Sequence, residues 1–362
     1  KYKYFLANEL KELYSSTGDI KVINTYESNL YVEKDKVSEA VIEDEIVCIP
    51  WGGNPIVQYH NGKFITGDNR IAVVKDKKEL NTKYLYYYMI NNLILIASFY
   101  RGSGIKHPSM SKVLDLNVPI PPLEVQDEIV KILDNFTELT AELTAELTAR
   151  EKQFKYYRSC LLTEDKDSFE MKLSDIFQIQ GGYTPSKSEL EFWENGSIPW
   201  FRMEDIRKNG RILNDSIQHI TNKGARKIFD KNSIILATTA TIGEHALITS
   251  SFVANQQFTV FTLKEEVKSM IKIEYLYYYF FLIGEECKHN QSISSFPSVK
   301  MSWLKSKQIK IPSFDKQKNI ISILEKYSNL TNDTNEGLPA EIEARKSQYK
   351  YYRNRLLTFK EL

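Results

Sequence analysis

Between Leu123 and Leu161 apolar residues return every three or four positions. Ile129, Ile132, Leu133, Phe136, Leu139, Leu143 and Leu147 lead, and Phe154, Tyr157 and Leu161 continue. That is the period of one helix face. Prolines at 119, 121 and 122 stop what precedes them and tolerate a helix start just beyond. The pattern predicts a helix over about 123–160, roughly 57 Å long at 1.5 Å per residue. A second stripe comprises Ile320, Ile323, Leu324, Tyr327, Leu330, Ile342, Tyr349, Tyr352 and Leu356. Gly337 and Pro339 interrupt it, which predicts a kink or a break. So long a stripe needs a covering helix, and the two predict a coiled-coil-like pair. Elsewhere short β-rich runs, such as Ile71–Val74 and Phe258–Phe261, alternate with Gly and Asn turns. The most apolar stretch, Tyr84–Tyr100, is broken by Asn91 and Asn92. A membrane span needs about 20 apolar residues, so this stretch predicts buried helix.

The pattern occurs twice. Tyr84–Tyr88 (YLYYY) returns as Tyr275–Tyr279, an offset of 191 residues (275 − 84). Met110-Ser111-Lys112-Val113 returns as Met301-Ser302-Trp303-Leu304, and Ile120–Asp134 as Ile311–Glu325, both at the same offset. Ala149–Thr163 returns as Ala344–Thr358 at 195, so the second copy carries four extra residues. Compositional bias does not preserve order and spacing, so these collinear blocks indicate a duplicated unit. Each unit has a mixed α/β part followed by a long helix. The linking helix contains TELTAELTAELTAR, Thr137–Arg150, a four-residue repeat. One such unit adds roughly 6 Å of rise, which suits a length module in a spacer.

A chain of 362 residues with 42% hydrophobic and 12% aromatic content is folded and exceeds one ordinary core. Lys plus Arg total 48 against 47 Asp plus Glu, a net +1 that by itself argues mildly against a nucleic-acid binder. Segment counts reverse that. Residues 60–112 hold nine basic and three acidic side chains, and residues 199–231 hold eight and four. Residues 113–165 hold five basic and 11 acidic ones. Basic charge therefore sits in the mixed regions, as phosphate-tracking surfaces require, and acidic charge sits on the first spacer.

Catalytic patterns are missing. Gly62-Lys63-Phe64 lacks the spacing and hydroxyl of a phosphate loop, and Gly102-Ser103-Gly104 reads as a turn. His60, His107, His219, His245 and His289 form no HExxH and no i,i+4 pair. Cys48, Cys160 and Cys287 lie far apart, so neither a disulfide framework nor a zinc cluster is expected. No metal site is expected. No basic-then-apolar leader opens the sequence, and the cysteine usage suits a reducing compartment, which predicts a cytoplasmic protein. The sequence reads as a binding protein without an active site.

These residues resemble the specificity subunit of type I restriction–modification systems almost end to end. The two IP-P-Q-I-I-L blocks each head a helix ending in A-R-K-Q-Y-Y-R-L-L, and the TAEL repeats are similar to that family's central spacer. Gly182-Tyr183-Thr184-Pro185-Ser186 looks like its domain-opening GxTPS, with Ile198-Pro199-Trp200, Asp205-Ile206, Ala240-Thr241-Ile242-Gly243 and Asn255-Gln256 fitting the same pattern. The first half lacks GxTPS, having only Ser16-Thr17-Gly18, while Trp51-Gly52-Gly53-Asn54 and Arg101-Gly102-Ser103-Gly104 still resemble a variable domain.

The resemblance implies an α+β fold with two target-recognition domains in pseudo-two-fold arrangement, joined by two long antiparallel coiled-coil helices. The implied boundaries are 1–119 and 164–311 for the domains, 120–163 for the central spacer and 312–362 for the C-terminal spacer. It implies duplex DNA as partner, read as a bipartite target. Two modification (methyltransferase) subunits carrying S-adenosylmethionine and restriction subunits using ATP and Mg would be further partners, with no cofactor on this chain. DNA-contact candidates are Arg70, Arg101 and Lys106 in the first domain, and Arg202, Arg207, Arg211, Lys223 and Arg226 in the second. Thr238, Thr239, Gln256 and Gln257 are base-edge candidates. The alternative is a non-catalytic coiled-coil scaffold that binds two protein partners without DNA specificity.

Overall fold

The structure is a computed structural model that describes residues 2–165, 167–292, 296–333 and 335–359. The chain divides into two compact units, Lys1–Ala145 with Ala340–Leu362, and Glu146–Pro339. Each is a mixed α+β body.

In the first unit a five-stranded sheet runs in the order Tyr31–Val32, Ile20–Ile23, Gln58–Thr66, Ile42–Pro50, Asn69–Ala72. Ile20–Ile23 pairs parallel with Gln58–Thr66, and the other neighbours are antiparallel. The β-rich run expected over Ile71–Val74 ends as a strand at Ala72, and Val73 lies exposed beyond the ladder. The apolar stretch forms two helices, Thr82–Asn91 and Leu93–Ser98, parted at Asn92. The Asn81 side chain caps the first by accepting from the Lys83 and Tyr84 N–H groups.

In the second unit a five-stranded sheet has the order Ile212–Leu213, His245–Ile248, Ser233–Ala237, Phe258–Leu263, Phe177–Gly181. Ser233–Ala237, at the centre of this sheet, is buried along its whole length. A three-stranded sheet, His219–Ile220, Ile198–Phe201, Val253–Ala254, stands beside it. The tyrosine-rich helix Ile273–His289 packs nine buried residues into the main core.

The linking helix Leu123–Thr163 is continuous over 41 residues. The second long helix is not continuous. It divides into Phe314–Asn332 and Leu338–Leu357. Gly337 explains the break. A Cβ there would stand 2.5 Å from the Asn329 carbonyl oxygen and 2.7 Å from that of Asp333, so the turn admits only glycine. The Asp333 carboxylate accepts from the Asn335 N–H at 2.7 Å and the Glu336 N–H at 3.2 Å, and Pro339 occupies the first turn of the new helix.

The duplication reaches individual hydrogen bonds. In the first unit the fully buried Gln126 accepts from the Asn81 N–H at 2.9 Å and donates to the Glu79 and Pro121 carbonyls, both at 2.8 Å. In the second unit the fully buried Gln317 accepts from the Lys272 N–H and donates to the Met270 and Pro312 carbonyls, all at 2.9 Å. Every atom pair is displaced by 191 residues. Tyr84 donates to the Pro119 carbonyl and Tyr275 to that of Lys310, both at 2.9 Å. Ile129, Val130 and Leu133 are buried in one unit, and Ile320, Ile321 and Leu324 in the other.

Aromatic pairs repeat as well. Phe136 stacks on Tyr352 at 5.5 Å, and Tyr327 meets Tyr157 at 5.7 Å. Phe154 stacks on Tyr327 at 6.1 Å, and Tyr349 joins the cluster of Tyr84, Leu133 and Leu357. Ile132, Leu139, Leu143, Leu147 and Leu356 are half-buried, while Ile342 is buried. Ile323, Leu330, Tyr157 and Tyr352 are the exposed members of the expected stripes. The face that packs carries 317, 320, 321 and 324, which turns Ile323 outward to 41% exposure, and Leu330 is exposed as well.

Candidate nucleic-acid interface

In the first unit three loops meet at one end of the sheet. The loop after Ile42–Pro50 begins with Trp51. Arg70, on the neighbouring strand, lays its guanidinium 3.8 Å from the Trp51 ring centroid and pairs with Asp68 at 2.9 Å. A two-stranded hairpin, Tyr100–Arg101 with His107–Pro108, stands beside it. The His107 Nδ1 lies 2.7 Å from the Trp51 carbonyl oxygen, and the Gly53 N–H donates to the Lys106 carbonyl at 3.0 Å. Arg70, Arg101 and Lys106 are therefore brought together, with the last two exposed. Trp51 and His107, 5.4 Å apart, are the organising rings that sequence reasoning missed. Their signal was the Trp51-Gly52-Gly53-Asn54 turn beside a basic segment.

In the second unit the corresponding end collects most of the candidates. Arg202 precedes helix Met203–Asn209. Its N–H donates to Asp205 Oδ2 at 2.7 Å, and buried Asp205 also accepts from Ile217 at 2.6 Å. The Arg202 guanidinium lies 5.5 Å from the Trp200 ring and 3.3 Å from Glu204. The Asn255 N–H donates to the Phe201 carbonyl at 3.0 Å, which ties Arg202 to the Asn255–Gln257 turn. Gln256 is exposed there and accepts from the Thr184 hydroxyl. Gln257 is half-buried, and its N–H donates to Asn255 Oδ1 at 3.1 Å. Tyr183 clasps the basic turn by donating to the Lys227 carbonyl at 2.9 Å. On that turn Arg226 is exposed, and Lys223 pairs with Glu191 at 2.7 Å.

Four candidates sit elsewhere. Thr238 is a correction. It is buried, its hydroxyl lies 2.9 Å from that of Thr259, and its backbone bonds Gln257 and Val299, so it builds the loop's floor. Thr239, half-buried, bridges Ser298. Arg207 and Arg211 line a cleft of about 930 Å³ with Arg158, Phe281 and Tyr277. Arg211 pairs with Glu244 and donates to the His245 carbonyl at 3.0 Å, so its donors are engaged within the unit. His245 is fully buried beside that cleft, and neither ring nitrogen has a partner among the described residues. Burial, reinforced by the Arg211 charge, pulls its pKa down to about 3. Arg158 places its guanidinium 4.0 Å from the Phe281 ring, while its buried Nε has no acceptor among the described residues.

Among the described residues no group of three or more His, Cys, Asp or Glu converges as a metal site would. No helix there is long and apolar enough to cross a membrane. Burial pushes the thiols of Cys48 and Cys287 up to about 12, far from a reactive thiolate.

Two copies of one mixed domain, each pinned to a long helix and each gathering basic side chains at one end of its sheet, define a modular sequence-reading protein. The chain belongs to the family of type I restriction–modification DNA specificity domains, whose pattern matches residues 5–150 and again 165–344, so its two domains are DNA-recognition domains of that kind. It is 48% identical over 200 residues to the Escherichia coli type I restriction enzyme EcoprrI specificity subunit, covering 53% of this chain and about half, 50%, of that protein. It is 38% identical over 307 residues to the EcoR124I/EcoR124II specificity subunit of the same species, covering 78% of this chain and 72% of that one. Its fold matches the crystal structure of the type I restriction–modification S subunit from M. genitalium, with TM-score 0.59 and 17% identity over 100% of this chain and 94% of the other.

Proposed function

We propose that the chain is the sequence-reading subunit of a type I restriction–modification complex, in which each domain reads one half of a bipartite duplex target. The helices fix the unspecified gap and dock two modification (methyltransferase) subunits, and restriction subunits join for cleavage. This chain supplies recognition without catalysis. S-adenosylmethionine belongs to the modification subunits, and ATP with Mg to the restriction subunits. The assembly works in the cytoplasm, where the DNA is. The observation that carries this reading is one DNA-specificity pattern present twice, each copy containing a basic segment.

Phosphate contacts would hold each domain in register, and loop side chains would read base edges. The test is methylome sequencing of cells with and without this chain and its modification partner. That experiment names the target, and binding with either half scrambled then assigns the domains. Arg202→Ala is expected to weaken binding through one half-site only, by about 1–3 kcal/mol. An equal loss on both scrambled targets would refute the assignment. A scaffold that binds two proteins without DNA specificity would show no steep fall of DNA affinity with salt.

A further inference from the structure

The cleft of about 930 Å³ in the second unit lies among four helices. They are the linking helix, the tyrosine-rich helix, Met203–Asn209 and the end of Phe314–Asn332. Its charges do not balance. Arg211 pairs with Glu244, while Lys155, Arg158 and Arg207 have no ion pair among the described residues. Of the acids, Glu244 is taken by Arg211, and Asp333 accepts from the Asn335 and Glu336 N–H groups. That leaves Glu151. Three open cations against one open carboxylate leave two positive charges uncompensated.

Arg158 carries the strongest demand for an anion. Its guanidinium is held over two rings, 4.0 Å from the Phe281 centroid and 5.1 Å from that of Phe154. Its Nε is buried, with no acceptor among the described residues. Burial, reinforced by the Arg211 charge, pulls its pKa below the ordinary arginine value. A desolvated cation without a counter-charge is costly, and an anion that joins it repays the cost. The first unit shows the satisfied form of the same position. There Arg353 Nε donates to Asn91 at 3.2 Å, and Leu282 replaces that asparagine in the second unit.

The cleft is also preformed. Gly243 and Gly284 stand so close that a Cβ on either would overlap the other's carbonyl oxygen. They lock the loop carrying Thr241 and Glu244 against the helix carrying Tyr277 and Phe281. Rigid walls and arginine forks suit a tetrahedral oxyanion, which guanidinium grips in bidentate fashion. Two uncompensated charges match a phosphate monoester, of about −2 charge, or two successive backbone phosphates, and exceed what one carboxylate supplies.

We propose that this cleft is a phosphate-binding site, with Arg158 and Arg207 as its forks and Lys155 as the third cation. Two sources carry that group, the backbone of a bound duplex and a free nucleotide, and the test tells them apart.

The full chain, labelled with ¹⁵N at arginine, is titrated with sodium phosphate and with AMP at constant ionic strength. The Arg158 Nε–H resonance is expected to shift and saturate, while sodium chloride at matched ionic strength leaves it in place. Arg158→Gln and Arg207→Gln are each expected to weaken phosphate and AMP binding about 10- to 150-fold, the range for losing a charge-assisted hydrogen bond. Arg207 is exposed, so its variant keeps the test open if Arg158→Gln fails to fold. In the assembly with modification subunits, cognate duplex should displace AMP if backbone phosphates fill the cleft, and leave it bound if the ligand is a free nucleotide. The absence of a saturable phosphate shift, or unchanged binding in Arg207→Gln, overturns the proposal. So does a polyglutamate peptide that binds more tightly than phosphate and is lost in the same variants, which would make the cleft a seat for an acidic protein segment. The phosphate and AMP titrations do not depend on the proposed function. Assemblies that bind every duplex equally would overturn that function and leave the phosphate result standing.

Discussion

The two units keep the same contacts where domain meets helix and differ where domain meets solvent. Gln126 and Gln317 repeat three hydrogen bonds atom for atom, and Tyr84 and Tyr275 repeat a fourth. The loop ends share no such list. One is built on Trp51, Arg70 and His107, the other on Trp200, Arg202 and the Asn255–Gln257 turn. A duplicated reader has to hold both domains on its helices in one way while varying what each one reads. Buried, fully satisfied polar contacts suit the first demand, because any change leaves a donor or acceptor stranded. Exposed loops suit the second, because substitutions there cost little stability.

The largest test of that equivalence is to remove the glutamines. Gln317→Leu strands the Lys272 N–H and the Met270 and Pro312 carbonyls in a buried site. The expected cost is about 3–5 kcal/mol, read as a lower urea midpoint with hydrogen exchange opening at the start of helix Phe314–Asn332. Gln126→Leu should cost the same in the first unit. If one variant falls by this amount and the other by less than about 1 kcal/mol, the two attachments are not equivalent.

A smaller effect separates the units by pH. The strand after Ile42–Pro50 begins with Gln58 in the first unit, and the strand after Ser233–Ala237 begins with His245 in the second. Gln58 donates to the Asn24 carbonyl at 2.7 Å, whereas His245 is buried against Tyr277 and Phe281 and held neutral by that burial down to about pH 3. An unfolded histidine takes up its proton near pH 6.5, so between 6.5 and 3 the unfolded chain binds more protons than the folded one. Stability from this group is fully present above pH 6.5 and declines as the pH falls. At pH 5 the loss is roughly 2 kcal/mol relative to pH 7. His245→Phe, among Tyr277, Phe280 and Phe281, should flatten that slope in the second unit. An unaltered slope would assign the acid sensitivity to other groups.

The duplication, the long helices and the interruption at Gly337 are legible in the sequence because they are matters of period and spacing. The glutamine pins are not legible as such, since a lone glutamine on a helix reads as surface. Their signal was nonetheless present, as Gln126 and Gln317 occupy the same place in the two aligned blocks. Thr238 reads as a loop hydroxyl in Thr-Thr-Ala-Thr, and only the pairing with Thr259 shows that it lies below the loop. Ile323 reads as part of the stripe because a stripe of period 3.6 is broad, and packing selects only its inner edge. Arg211 counts as a basic residue in any census, yet Glu244 and the His245 carbonyl already hold it. Composition locates charge, and tertiary contact decides which charges are available.

The smallest effect concerns an arginine present in both copies. Arg353 and Arg158 stand 195 residues apart, each over the ring four residues before it, Tyr349 at 5.4 Å and Phe154 at 5.1 Å. In the first unit Arg353 Nε donates to Asn91 at 3.2 Å. The residue at the matching position of the second unit is Leu282, and the buried Arg158 Nε has no acceptor among the described residues. Asn91→Leu should give the first unit the environment of the second, at a cost of about 0.5–1.5 kcal/mol. Leu282→Asn should give Arg158 an acceptor, although it also withdraws apolar surface from the core, so stability alone will not reveal the gain. Exchange of the Nε–H proton by NMR will. It should slow at Arg158 in Leu282→Asn and quicken at Arg353 in Asn91→Leu. If neither rate moves, the asparagine is incidental and ring stacking alone fixes the arginine in both copies.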